Sequence, residues 1–307
     1  MTGLKVINPG MHTLIQDSGR QGFHNIGITT GGPFDSYSFG WANKLCNNLE
    51  SAACLEILVG GLVLESTIAT QIAVTGADVP IKINNQSVDG WCTHNISAGD
   101  QISIGYATAG CRSYLAVAGG IQCPLIFGSA STVKREKLGG LHKNGQALAQ
   151  GDYLPCNASQ ENTTRSVAER YRPQFDSDIA EIRVILGYQH NQFDPDQLNC
   201  FFDNDYTISQ QSDRMGYRLE GPAINFSQIN MISEGICLGA IQITTDGQPI
   251  ILLCDRQTIG GYPKLGSVFS PDIAKLAQLM PGRKIRFKTI DLKQAQNLLQ
   301  QSAQSII

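Results

Sequence analysis

The stretch Ile236-Cys237-Leu238-Gly239-Ala240-Ile241-Gln242-Ile243-Thr244, followed after a short polar connection by Ile250-Ile251-Leu252-Leu253-Cys254, decides how the chain folds. The connection, Thr245-Asp246-Gly247-Gln248-Pro249, carries Asp-Gly between two apolar runs and predicts a β-hairpin with a longer loop. Antiparallel pairing gathers the outer ends of such a hairpin. Glu234 on one side and Asp255, Arg256 and Gln257 on the other are therefore expected at one mouth of a sheet. The flanks extend this polar end. Gln210–Gly221 holds Asp213-Arg214-Met215-Gly216, and the other flank runs Thr258-Ile259-Gly260-Gly261-Tyr262-Pro263. Charged and amide groups at one end of an apolar hairpin mark a site.

Outward from the hairpin, short strands dominate. Leu4–Ile7 reads as one. Leu55–Leu64, Gln71–Thr75, Val79–Ile83, Gln101–Ile104 and Tyr114–Val117 follow, broken at Gly60-Gly61, Gly76, Asn84-Asn85, Gly99-Asp100 and Gly119-Gly120. Ile182–Leu186 and Lys284–Thr289 are expected as strands in the second half. Runs this short and this close favour a barrel or sandwich over a parallel α/β sheet. Helices are few. Asp35 is a credible N-cap for one in which Phe39, Ala42, Leu45 and Cys46 share a face, and part of 189–202 reads as helical. Ser270-Pro271-Asp272 opens another with Ser270 as its cap, and Asp291 caps the last. The fold class is mainly β with a few helices.

A chain of 307 residues exceeds what one core organises, so two domains are expected, 1–158 and 181–307. The polar, aliphatic-poor stretch 159–180 serves as the linker between them. Charged residues make up only 16 %, and with a net charge of −3 and scattered Lys and Arg nothing points to nucleic acid. The nine cysteines and five histidines show no metal-ligand spacing, so no metal is expected on this chain. Reduced, mostly buried thiols, a first segment without an apolar core of signal length and no run of membrane-span length make the expected location cytoplasmic.

The Gly-rich regions 128–132 and 139–145 lack the Gly-Lys-Ser/Thr ending of a phosphate-binding loop, and Gly-x-Gly-x-x-Gly and Gly-x-Ser-x-Gly are both absent. Asp35 and Asn43 either lie near a ligand or serve only as a cap and a solvated side chain. Glu56, inside an apolar run, is either a loop-edge residue or a partnered site carboxylate. A weak internal echo links Arg20-Gln21-Gly22-Phe23 to Arg214-Met215-Gly216-Tyr217, and Leu55-Glu56 to Ser233-Glu234. It suggests two similar β-rich domains, each contributing an arginine loop and a glutamate to one composite cleft.

These residues carry a resemblance along essentially the whole chain. Gln16-Asp17-Ser18-Gly19-Arg20, Gly32-Pro33-Phe34-Asp35, Tyr114 to Ile121, Ser212 to Gly216, Ser233-Glu234-Gly235, Gly239 to Gln242, Asp246 to Pro249 and Asp255 to Pro263 match in order. The chain resembles the allophanate-hydrolase subunit 2 / biotin-dependent carboxyltransferase A–B family, whose bacterial members include the C component of 5-oxoprolinase, also called the KipI antagonist. Two departures, Thr29-Thr30-Gly31 before Gly32-Pro33 and Phe34 at a position where Met is common, leave the match intact.

The resemblance implies two cyclophilin-like β-barrel domains. It also implies work as a subunit of an ATP-dependent 5-oxoprolinase complex, which opens 5-oxo-L-proline to L-glutamate. The implied partners in that complex are a homologous B component and a metal-using A component. A carboxyltransferase or allophanate/urea-pathway (urea amidolyase-like) component is the alternative, and a non-catalytic regulator binding its partner subunit is another. ATP is expected at a site shared with a partner subunit, since no ATP motif is visible. With no Met-Lys dipeptide, covalent biotin is not expected here.

A biotin ureido ring and a lactam both present an amide within a five-membered ring, and attack on such a carbonyl builds charge on oxygen. Arg214 and Arg20 are candidates to stabilise that charge. Glu234 or Asp255 is the candidate general base if burial raises its pKa. Gln242, Gln257 and the Gly260 and Gly261 amides suit amide recognition, and Tyr262 is placed to pack on a ring or to donate a hydrogen bond. Thr258, Asp213, Asp35, Asn43 and Glu56 complete the expected substrate-binding set.

Overall fold

The structure is a computed structural model and describes residues 2–159, 163–175, 178–226 and 232–305. The chain divides into two compact units, Met1–Asp176 and Ser177–Ile307.

In the first unit the strands in order are β1 (Gly3–Pro9), β2 (His12–Gln16), β3 (Cys54–Leu58), β4 (Leu62–Ser66), β5 (Thr70–Asp78), β6 (Ile81–Ile83), β7 (Gln86–Val88), β8 (Thr93–Ile96), β9 (Gln101–Ile104), β10 (Ala109–Val117) and β11 (Tyr153–Pro155), with one helix, α1 (Ser36–Leu45), between β2 and β3. They form a six-stranded sheet, β11-β1-β4-β9-β6-β7, and a five-stranded sheet, β2-β3-β10-β5-β8. Strand alternation explains the layering. Leu55, Ile57, Leu115 and Val117 point into a core shared with Leu4, Val6, Leu62, Leu64, Ile102 and Ile104 of the other sheet. Their neighbours Cys54, Tyr114 and Ala116 face outward, where Phe39, Ala42 and Leu45 of α1 cover them.

The break expected at Gly60-Gly61 within Leu55–Leu64 is the turn between β3 and β4, and it begins one residue earlier, at Val59, which takes φ 65°. Gly76, expected as a break, lies inside β5. A Cβ there would sit 2.3 Å from the Arg112 carbonyl oxygen, so only glycine lets the irregular β5–β10 pairing close. The expected linker is in large part packed structure. Arg165 and Val167 exchange backbone hydrogen bonds with Trp91 and Thr93, Val167 is buried, and β12 already begins at Ile179. Its residues 160–162 and 176–177 lie outside those described.

The second unit runs β12 (Ile179–Leu186), α2 (Pro195–Asp203), β13 (Asp205–Ile208), β14 (Gly216–Glu220), β15 (Glu234–Gly235), β16 (Ala240–Ile243), β17 (Pro249–Leu252), β18 (Ile259–Gly260), β19 (Lys264–Val268), α3 (Ser270–Ala277), β20 (Lys284–Thr289) and α4 (Leu292–Ser305). Seven strands close a barrel in the order β12-β19-β16-β17-β14-β13-β20, sealed by the parallel pairing of β20 with β12. The hairpin expected around Asp246-Gly247 is β16–β17, with Ile243 opposite Pro249 and Thr244 bonded across its loop to the Gln248 carbonyl. Ile241, Ile243 and Ile251 are fully buried. Phe201 of α2 is also fully buried and stacks on Phe287 of β20 at 4.4 Å between ring centroids, burial that contributes about 2–3 kcal/mol. Asp291 caps α4 as expected. At α3 the cap position belongs to Phe269 rather than Ser270, which is already helical.

Among the described residues no helix is long and apolar enough to cross a membrane, no group of His, Cys, Asp and Glu is placed to hold a metal ion, and all nine cysteines are free thiols.

Candidate active site

The Arg214 guanidinium grips Asp255 with two bonds, Nε to Oδ2 and Nη2 to Oδ1, each 3.1 Å. The backbone sets this pair up. β14 pairs with β17, the Asp255 N–H donates to the Arg214 carbonyl, and the Asp213 carboxylate accepts the Met215 N–H at 2.8 Å to shape the turn that presents Arg214. Arg256, 6 % exposed, points the other way, its Nε donating to the Ile236 carbonyl. Burial pushes the Arg256 pKa down.

Glu234 belongs to a different cluster. It opens β15, pairs with Gly260 across the short β15–β18 ribbon, and takes the Tyr188 hydroxyl on Oε2 and the Gln189 side-chain N–H on Oε1 at 2.6 Å. Lys264 Nζ lies 2.9 Å from the same Oε1. The expectation of a burial-raised base fails here. The Tyr188 hydroxyl above all, with Lys264 behind it, lowers the Glu234 pKa, and the side chain keeps 31 % of its surface in solvent. The carboxylate stays ionised because donors surround it. Gln242 is 1 % exposed and donates to the Tyr262 carbonyl at 3.4 Å, and a Cβ on Gly260 would come within 2.9 Å of its amide nitrogen. Gln242, Gly260 and Tyr262 are thus brought together. Thr258 holds the ribbon by accepting the Ile236 N–H, while Gln257 is part-exposed and Gly261 is exposed. Nothing in the sequence signals Tyr188, Gln189 and Lys264. They come from distant segments, and no spacing marks their convergence.

The first-unit candidates are internal. Arg20, expected to stabilise charge on a substrate, is 1 % exposed and donates to the carbonyls of Ile126, Ser129 and Ser131. Its guanidinium shapes a loop. Asp35 is 1 % exposed and caps α1 through Ser38, the plainer of its two expected roles. Asn43, also 1 % exposed, bridges the Ala52 carbonyl, Asn48 and Cys54. Glu56, 4 % exposed, accepts the Phe34 N–H and the Tyr114 hydroxyl, both at 2.8 Å. Burial, then the Glu56 and Asp35 charges, push the Tyr114 pKa well up.

The Gly-rich region around 128–145 does not fit a phosphate. The buried Asp17 carboxylate already takes the Gly19 and Ala130 N–H groups and the Ser129 and Ser131 hydroxyls, while the Gly140 and Gly145 N–H groups go to the Ala130 and Gly139 carbonyls. An internal anion occupies the cradle.

A family model described as "Carboxyltransferase domain, subdomain A and B" matches residues 26–289. The chain belongs to this carboxyltransferase-domain family. It is 35 % identical over 95 % of its length to the protein named as the C component of 5-oxoprolinase in Escherichia coli (strain K12), covering 93 % of that protein. With the Haemophilus influenzae protein of the same name it shares 31 % identity, over 96 % of this chain and 94 % of the relative. The crystal structure of the K. lactis urea amidolyase superposes with a TM-score of 0.90 at 31 % identity, covering 99 % of this chain and 20 % of that chain. The mainly β architecture with a few helices, expected from the sequence, is that of this carboxyltransferase-domain family.

Proposed function

We propose that the chain belongs to an ATP-dependent 5-oxoprolinase that opens 5-oxo-L-proline to L-glutamate, acting only with partner subunits in the cytoplasm. The observation that carries this reading is the 35 % identity to the C component of a 5-oxoprolinase over 93 % of that relative's length. A relative lettered C supports further subunits beside it, and we assign these places to a homologous B component and a metal-using A component. Lactam opening is uphill, so coupling to ATP supplies the drive. Because Asp17 fills the Gly-rich region, no phosphate contact is assigned to that region, and ATP is placed at a site shared with a partner subunit.

Within the second unit the proposed working groups are Arg214, held rigid by Asp255, and the Glu234, Gln242 and Gly260-Gly261-Tyr262 neighbourhood. The test is 5-oxoproline-dependent ADP release by the reassembled complex. Arg214→Ala is expected to reduce turnover at least a hundredfold, as loss of one charge-stabilising donor does. Normal turnover by that variant would remove Arg214 from the site. A second reading, the carboxyltransferase part of a urea-processing enzyme, is favoured by the urea amidolyase superposition. Carboxyl transfer from carboxylated biotin at rates above 5-oxoproline turnover would establish it instead.

A further inference from the structure

Three donors on two separate segments close on one carboxylate. Tyr188 and Gln189 follow β12, Lys264 heads β19, and a hydroxyl, an amide N–H and an ammonium all point at Glu234. Gln189 is held in place independently of the carboxylate, by the backbone of β19. Gln189 is 4 % exposed and its carbonyl oxygen accepts the Lys264 N–H at 2.7 Å, so its NH2 has to face the carboxylate. The Lys264 ammonium is fixed by the Gly235 carbonyl at 3.2 Å and lies 5.6 Å from the centroid of the Tyr188 ring. Glu234 sits on a two-residue strand and keeps 31 % of its side chain in solvent, and a Cβ added at the adjoining Gly235 would meet nothing within 4 Å. Beside it Tyr188, Ile259 and Tyr262 expose 69 %, 61 % and 42 % of their surface.

We propose that Tyr188, Gln189 and Lys264 form a binding site for a small carboxylic acid, and that Glu234 fills it as an internal stand-in until the ligand displaces it. Resting on the 5-oxoprolinase reading, the ligand is 5-oxoproline, bound through its carboxylate with its ring against the exposed aromatic edge. Glu234 is then a competitor for the site rather than a base.

The test measures binding of 5-oxo-L-proline, its neutral carboxamide and propionate to the full chain by calorimetry or ligand-observed NMR, with thermal melts to show that each variant is folded. Glu234→Ala is expected to bind 5-oxo-L-proline at least tenfold tighter than the parent chain. Adding Lys264→Met should reverse that gain by tenfold or more, Lys264→Arg should restore it, and the carboxamide should not bind. Binding to Glu234→Ala that is no tighter than to the parent chain, equal binding of the carboxamide, or indifference to Lys264→Met would overturn the proposal. If propionate shows this pattern and 5-oxo-L-proline binds nowhere, the carboxylate site stands and the lactam reading falls. If 5-oxo-L-proline binds regardless of Glu234 and Lys264, the reverse holds.

Discussion

Asp17 shows how much one side chain does here. Its carboxylate collects two backbone N–H groups and two serine hydroxyls between 2.5 and 2.9 Å, in a place where water does not compete. Replacing it by Asn puts an amide NH2 where an acceptor is required, and Asp17→Asn should cost about 3 kcal/mol, read as a drop in the urea midpoint. A loss below about 0.5 kcal/mol would mean that the surroundings adapt. Polar residues were legible in the sequence as a set, but their roles were not. Arg20 and Arg214 sit in similar words of sequence, yet one is spent on carbonyls and the other on a carboxylate. Asp17 and Asp213 each accept the N–H two residues on, but at different distances from the arginine that follows. Such short-range turns are written in sequence. Long-range partners such as Tyr188 and Lys264 are not, because nothing periodic connects them.

At the scale of elements, strands and the central hairpin were readable because alternation and Asp-Gly turns act locally. The part Val59 plays in the β3–β4 turn was not, because this residue enters the left-handed region against its own preference, held by bonds to the Cys111 carbonyl and the Ala107 N–H. A β-branched residue there is strained. Val59→Asn should therefore stabilise the fold by about 1 kcal/mol, and an unchanged or lower midpoint would argue against strain. The start of α3 is tied to β12 through Asp272, 0 % exposed at its side chain, which takes Arg183 Nε and Nη2 at 2.8 and 2.6 Å. Burial pushes the Asp272 pKa up, but the Arg183 bonds and the Lys275 charge outweigh it, and the net shift is down. A lowered folded pKa means that this stabilisation is complete above the unfolded value of about 3.9 and fades as the pH falls through the lower folded one. Stability measured from pH 6 down to pH 2 should fall through that window, and Asp272→Asn should flatten this part of the curve.

For the whole molecule, the nine thiols report on packing. Five are buried, and burial pushes Cys46 and Cys123 to about 12 and Cys156 to about 11. Only Cys237 is exposed, so a thiol reagent at pH 8 should modify one cysteine promptly and the five buried ones only after denaturant is added. Prompt reaction of several buried thiols would mean a looser fold than this one. The mainly β class, with its few helices, was legible from run lengths and glycine breaks alone. The packing of 163–175 was not, because a polar stretch with one inward valine, Val167, reads as solvent-exposed chain.

The seam between β12 and β20 also governs how the second unit comes into being. Those strands are the first and last of their barrel, about a hundred residues apart in the chain, and they run side by side in parallel. On a ribosome the early strand has to wait, its edge unpaired, until about a hundred more residues, up to β20, have been made. Truncation just before residue 284 should therefore leave a sticky, chaperone-bound product instead of a smaller folded one.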